Sequence, residues 1–397
     1  MKFTAYEVLD SRGNPTLAIR AQQGKTTITE YVPSGASKGK HEALELRDNN
    51  YRYHGKGVRK AVNNVNNIIA PKVKNLKDAK SIDKQLFKLD PSIDKSKLGA
   101  NAILAVSLAA WRMQATKHDK ELWQLFTAKK TQQPTMPTPY LNILNGGLHA
   151  DNHLSIQEFM IVPHHKTFSE RMRIASEVYH TLKALLKKKG LSTNVGDEGG
   201  FAPPLKKTQD ALELVNKAID KAGFTGSCNI ALDCAASEFK HGKGYTLDGK
   251  NITAEKLAEK YHSWIEHYPI ESIEDPFDQD DFSSWRDFLN QTKIRVVGDD
   301  LLVTNPTRIR IAQEKRLCNA LLLKVNQIGT VSEALQAHKL AKKSNWSTIV
   351  SHRSGETTST FIADLAVGIQ ADIKAGAPAR GERVAKYNRL IEIEEFT

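Results

Sequence analysis

Five ionisable side chains stand where short apolar runs of this 397-residue chain stop. Asp233 ends Asn229-Ile230-Ala231-Leu232, Glu274 ends Ile270-Glu271-Ser272-Ile273, and Asp299 ends Arg295-Val296-Val297-Gly298. Lys324 ends Ala320-Leu321-Leu322-Leu323, and His352 ends Thr348-Ile349-Val350-Ser351. One acid after a strand is more often a helix cap than a ligand. Five in register are harder to dismiss, because charges gathered without partners repel or lose solvation. Three carboxylates and no thiolate make a hard-oxygen site, which suits Mg²⁺. A lysine beside a divalent cation has its neutral form favoured by repulsion and burial, so Lys324 reads as a base.

Other segments add polar groups on glycine hinges. Val195-Gly196-Asp197-Glu198-Gly199-Gly200 sets two acids among three glycines, as if backbone were kept close to something bound; the bland alternative is a solvated turn. The loop from Asn145 to His153 is lid-like, with His149 and His153 inside it, and Val32 to Lys40 is similar. Ser351-His352-Arg353-Ser354-Gly355-Glu356-Thr357 places an arginine and hydroxyls together, a reasonable phosphate clamp. His164 and His165 lack such context and read as surface residues.

The elements that must position these groups follow from periodicity. Helical patterns over Ala254–His267, Phe282–Thr292, Pro306–Glu314 and Val331–Ser344 alternate with the apolar runs, which means a parallel sheet. So many units in the last two-thirds of the chain are the size of a closed (β/α) barrel, whose C-terminal strand ends share one mouth. Before it lies a mixed α+β part. Thr16–Arg20 and Thr26–Tyr31 read as a hairpin. Val58–Ile69 reads as a helix stopped by Pro71, Asp78–Leu89 as a second, and Ala100–Thr116 as a helix buried on most sides. The prolines at 134, 137 and 139 mark a boundary, giving domains 1–133 and 134–397.

Composition narrows the function classes. The chain carries 57 Lys+Arg against 45 Asp+Glu, a formal charge of +12. The basic residues are scattered, as in Lys129-Lys130 and Lys187-Lys188-Lys189, so there is no dedicated nucleic-acid module. The run Ala102–Trp111 is too short to span a bilayer, and Ser107 interrupts it. The N-terminus has no apolar signal core, and Cys228, Cys234 and Cys318 form no zinc or disulfide pattern. A cytoplasmic location is expected.

Longer strings carry a resemblance. They include Leu9-Asp10-Ser11-Arg12-Gly13-Asn14-Pro15-Thr16, Lys97-Leu98-Gly99-Ala100-Asn101, Leu144-Asn145-Gly146-Gly147 and Gln157-Glu158-Phe159-Met160. Asn194 to Gly200, Ser272-Ile273-Glu274-Asp275-Pro276-Phe277, Leu322 to Thr330 and Gly376-Ala377-Pro378-Ala379-Arg380 continue them in order. Together the chain resembles the enolase (phosphopyruvate hydratase) family along nearly its whole length. The resemblance implies an N-terminal α+β domain and a C-terminal (β/α)₈ TIM barrel with a ββαα start. It implies a hydro-lyase of glycolysis and gluconeogenesis that reversibly dehydrates 2-phospho-D-glycerate to phosphoenolpyruvate with two Mg²⁺ ions per site. Matched by position, the metal ligands would be Asp233, Glu274 and Asp299, with Ser37 of the first lid loop for the second ion. The base would be Lys324 and the proton donor Glu198, assisted by Glu158. His149, Gln157, His352, Arg353, Ser354 and Lys374 would contact substrate, His352 also counting among the catalytic residues.

The chain departs from the family in being short and basic, with Lys38 and Lys40 in the first lid loop. The family's dimer ion pairs have no counterparts at Tyr6, Ala18 and Glu392; a homo-oligomer, dimer or larger, is still implied. The alternatives are another member of the superfamily, which the phosphate clamp opposes, or a basic surface-associated binding protein with a secondary cell-surface presence. The ending Glu394-Glu395-Phe396-Thr397 has no terminal lysine to support that second role.

Overall fold

The computed structural model describes residues 1–35, 39–127 and 133–397. Ser37 and Lys38 therefore lie outside the described residues.

The chain begins with an antiparallel sheet of β1 (Lys2–Leu9), β2 (Pro15–Gln23) and β3 (Thr26–Tyr31), in that order. β2 and β3 form the expected hairpin, Gln23 pairing with Thr26. Helices over Ala79–Leu89 and Ala100–Lys117 follow, the first capped by Asp78, which accepts the Ser81 N–H. The earlier helical stretch differs from expectation, for Pro71 does not end it. A π-turn at Asn64–Ile69 leads into Ala70–Val73, where Pro71 sits in the first turn and its missing N–H costs little.

The helix Ala100–Lys117 is buried nearly all round, because it lies between the N-terminal sheet and the barrel. Its polar interruption has a structural reason: the Ser107 hydroxyl accepts the N–H of Val331, the first residue of a barrel helix. Nearby, Trp111 Nε1 donates to Asp83 at 2.9 Å, and the same carboxylate accepts the Ser332 N–H. Each fully buried leucine or isoleucine of this layer, such as Leu104 and Ile82, contributes about 1.5–3 kcal/mol.

The barrel is closed by eight strands. Around the ring run β10 (Ile270–Glu274), β11 (Arg295–Gly298), β12 (Ala320–Leu323), β13 (Ser347–Ser351), β14 (Asp372–Lys374), β4 (Pro139–Asn145), β5 (Glu158–Pro163) and β6 (Cys228–Asp233). β5 alone is antiparallel to both neighbours, and two helices, Phe168–Lys188 and Thr208–Lys221, separate it from β6. This is the ββαα start. A small separate sheet of β7 (Lys240–His241), β8 (Gly244–Leu247) and β9 (Lys250–Ile252) fills the insertion before the helix Ala254–His267.

Inside the ring, Tyr140, Met160, Val162, Ala231, Val297, Ala320, Leu322 and Ile349 fill the barrel. Its floor is closed by polar groups: the Tyr140 hydroxyl donates to Glu271, and Arg295 reaches both that hydroxyl and Asp372. Among the described residues, no helix is long and apolar enough to cross a membrane.

Candidate active site

Each expected strand-end residue stands at the barrel mouth. Asp233 and Glu274 are the last residues of β6 and β10, and Asp299, Lys324 and His352 directly follow β11, β12 and β13. Lys374 is the last residue of β14. Glu158 arrives differently. It is the first residue of β5, and because β5 runs backwards, its N-terminal end lies at the mouth, directly opposite Asp233 in the ladder.

The turns that follow these strands are held in unusual conformations. Ala235 and Asp275, just beyond Asp233 and Glu274, have φ of 45° and 42°. Such left-handed non-glycine residues are costly and persist where surrounding contacts dictate them. Here Asp233 Oδ1 accepts the Ala235 N–H at 3.0 Å. Both oxygens of Asp275 are used, accepting the N–H groups of Asp299 at 2.9 Å and Asp300 at 2.7 Å, so Asp275 sets the backbone that presents Asp299. The Thr304 hydroxyl accepts the Lys324 N–H and donates to Gln327, whose amide in turn donates to Asp299 at 3.0 Å.

Glu198 comes from the turn between the two helices after β5. The glycines around it allow close packing of protein on protein. A Cβ at Gly196 would lie 2.3 Å from the His149 carbonyl oxygen, and one at Gly200 would lie 2.1 Å from Asn145 Oδ1.

One cavity of about 30 Å³ is lined by His149, Gln157, Glu158, Glu198, Asp233, Asp299, Lys324, His352, Arg353, Ser354 and Lys374. Glu274 joins them through Lys374, whose Nζ lies 3.0 Å from Glu274, 2.9 Å from Asp233 and 3.2 Å from Glu158. His153, in contrast, is exposed on its loop and takes no part. His164 is half-exposed and bonded to Glu271 at the other end of the barrel.

The charges around the cavity are strongly interdependent. Burial raises Glu158, and the adjacent Glu198 adds to this, so Glu158 is held well above the ordinary carboxylate range. Burial also opposes ionising Glu198, but His352 and His149 overcome it and hold Glu198 well below that range. Of this acid pair, Glu158 is the member whose protonated form is favoured. Glu198 also accepts from Asn142 at 3.1 Å and lies 3.3 Å from His352 Nε2.

Lys324 is bonded to Asp299. Burial pulls its pKa down, as expected from the sequence, but the Asp299 carboxylate outweighs burial and the net shift is upward. Burial likewise opposes the charge on Lys374, yet Asp233, Glu158 and Glu274 hold it well above the usual lysine value. In this geometry both lysines are ammonium ions.

The donors available to a metal are all oxygen at the expected positions, though the three expected ligands are not gathered round a single point. Among the described residues, ligand atoms approach within 4.8 Å of one another in Asp275, Asp299 and Asp300, and again in His149, Glu158 and Glu198. Asp233 and Glu274 are bridged by Lys374 instead. Burial, then the neighbouring Asp233, raises Glu274 well above the carboxylate range; burial and Asp299 raise Asp300 to about 7. Carboxylates that disfavour one another's ionisation in a buried, thiolate-free cluster fit a hard divalent cation. Three cavity atoms, His149 Nδ1, Gln157 Oε1 and Glu158 Oε2, are buried without a hydrogen-bond partner among the described residues, the last lying against Lys374. Each such atom costs roughly 1–3 kcal/mol, which a bound polar ligand would recover.

Sequence reasoning missed several contributors. Asp275 and Gln327 lay inside the strings quoted above, and Asp300 directly follows Asp299. Glu42 and Arg383 had no local signal. Glu42 bonds Arg353 at 3.1 Å and Gln327 at 3.1 Å, tying the N-terminal part to the mouth.

Two family models account for this arrangement. The enolase N-terminal domain matches residues 1–126, and the enolase C-terminal TIM barrel domain matches residues 133–397. With a closed eight-stranded barrel, its reversed second strand and acids and lysines converging on one mouth, the chain belongs to the enolase family, a family of lyase-type enzymes.

Proposed function

We propose that the protein is a phosphopyruvate hydratase, catalysing the Mg²⁺-dependent dehydration of 2-phospho-D-glycerate and its reverse in cytoplasmic glycolysis and gluconeogenesis, with its domains meeting at residues 133 and 134. The observation that carries this reading is an opposition across the ring. β12, which presents Lys324, and β5, which begins with Glu158, are four strands apart in either direction. A base and an acid pair facing each other across a substrate suit an anti elimination.

In this reading Lys324 Nζ takes the proton from C2, and the electron pair moves into the substrate carboxylate as a second negative charge. Lys374, beside that group, opposes the charge electrostatically. The pair then returns to form the C2–C3 double bond as the C3–O bond breaks. Glu198 gives a proton to the leaving hydroxide, and Glu158 is the source of that proton. Arg353 and Ser354 hold the phosphate, and His149, Gln157 and His352 orient the rest of the substrate. Asp233, Glu274 and Asp299, with Ser37 for a second ion, would hold divalent cations that supply positive charge beside the substrate carboxylate. Lys324 must lose a proton before it can act, which requires Asp299 to share its charge with something other than Lys324.

The test is the absorbance of phosphoenolpyruvate formed from 2-phospho-D-glycerate over a Mg²⁺ titration, with the Glu274→Gln variant alongside. Wild-type activity should require Mg²⁺. The variant, short of one anionic ligand, should need more Mg²⁺ and regain part of its activity in excess. No product at any Mg²⁺ level would sink the proposal, and an unchanged Mg²⁺ requirement in the variant would remove Glu274 from the ligand set.

We also propose a homo-oligomer, at least dimeric. Tyr6 is partly exposed on β1 opposite Ala18, which is fully buried within its own chain, and Glu392 is paired internally with Arg389. None of the three is a free charge for a partner. Exposed ion pairs contribute only ~0–1 kcal/mol each, so an interface without them is held mainly by apolar contact. Sedimentation at micromolar protein should find the oligomer in both low and high salt. A monomer in both would refute it, and dissociation in high salt would show that other ion pairs hold it.

A further inference from the structure

Among the described residues, Arg383 is the largest charged side chain buried outright, and the chemistry described above makes no use of it. It lies in the first turn of the C-terminal helix Gly381–Phe396. Nη1 donates to His352 Nδ1 at 2.7 Å and to the Arg353 carbonyl at 2.7 Å. Nη2 donates to the Ser354 carbonyl at 2.6 Å and to the Asp197 carbonyl at 3.0 Å. One guanidinium thus ties the segment after β13 to the turn that carries Glu198. The backbone is shaped around it: Gly376 has φ of 88°, and a Cβ there would meet Arg383 Cδ at 2.8 Å and the Glu198 carbonyl oxygen at 2.9 Å.

A guanidinium has only donors and keeps its charge. An imidazole nitrogen 2.7 Å from such a donor must offer a lone pair, so His352 Nδ1 carries no proton. The ring's proton is then on Nε2, which faces Glu198 Oε2 at 3.3 Å. We propose that Arg383 is a positioning residue that fixes His352 as the neutral Nε2–H tautomer, so that the ring donates to Glu198 and never takes up a second proton. Burial supports the same state, lowering His352 to about 4, with Arg383 adding to it against Glu198 and Glu356. His352 is thereby a fixed donor to one side of the acid pair, not an acid itself. The catalytic consequence rests on the dehydratase reading, but the tautomer does not.

The experiment is ¹⁵N NMR of histidine-labelled full-length protein, with His352 assigned by its loss in His352→Asn. In the wild type, Nε2 should be protonated and Nδ1 bare from pH about 5 to about 8, a range in which an ordinary histidine titrates. Arg383→Leu should give mixed tautomers or a titrating ring, and lower kcat roughly 10- to 100-fold with KM nearly unchanged. Arg383→Lys, which keeps one cationic donor, should restore the Nε2–H signature and part of kcat. A wild-type His352 protonated on Nδ1 overturns the proposal even if the leucine variant fails to fold. An unaltered ring in a folded leucine variant also overturns it. A wild type with the stated tautomer but no phosphoenolpyruvate formation leaves this inference standing and removes the dehydratase reading.

Discussion

Lys324→Ala is expected to abolish exchange of the C2 proton of 2-phospho-D-glycerate with solvent. A positioned general base is worth about 10²–10⁴ in rate, and the loss should reach at least that range in both exchange and dehydration. Among the described residues, Lys374, the other ammonium at the mouth, is engaged by Asp233, Glu158 and Glu274. Lys324 is not among the proposed ligands, so Mg²⁺ binding, read by calorimetry, should persist. It should if anything tighten, because Asp299 loses its ammonium partner. Exchange at near wild-type rate would show that Lys324 is not the base.

Glu198→Gln should separate the two halves of the reaction. Glu198 accepts from Asn142 and faces His352, so an amide of the same shape keeps the packing but cannot be an anion or pass a proton. C2 exchange should survive in part, since Lys324 lies across the ring, while dehydration falls by ~10²-fold or more. The substitution also removes a negative neighbour of Glu158, which should then ionise more readily. Comparing solvent exchange at C2, followed by NMR, with phosphoenolpyruvate formation gives the answer. Equal losses in both would mean that Glu198 organises the whole site and is not the proton donor.

Five parallel strands of the barrel, β6 and β10 to β13, were legible because each is a short apolar run and most lead to an amphipathic helix; β4 and β14 were not read. Ile270–Glu274 and Ala254–His267 fall where the periodicity puts them. Asp233, Glu274, Asp299, Lys324 and His352 were legible for the same reason, as polar punctuation at the end of each run. Glu158 was invisible to that logic, since it begins a strand, and only the reversed direction of β5 brings it to the mouth; the family resemblance supplied it. Arg383 and Glu42 could not be read at all. Their partners lie in distant segments, and nothing in Gly381-Glu382-Arg383 or His41-Glu42-Ala43 distinguishes them from surface charges. Pro71 misled because a missing N–H matters only in a helix interior, and the π-turn before it starts a new first turn. The electrostatics of Lys324 depended on Asp299 lying within bonding distance, which no spacing rule provides.

The Glu42–Arg353 contact spans 311 residues of chain. Closing so long a loop costs entropy before any contact rewards it, so pairings of this kind form late in folding. A chain emerging from the ribosome can complete its N-terminal sheet and several barrel strands while the mouth is still unassembled. Arg353 must emerge before Glu42 has its partner, and the C-terminal helix must follow before Arg383 can join Asp197 to Ser354. The mouth therefore cannot be completed until the segment carrying Arg383 has been made, however early its separate strands form.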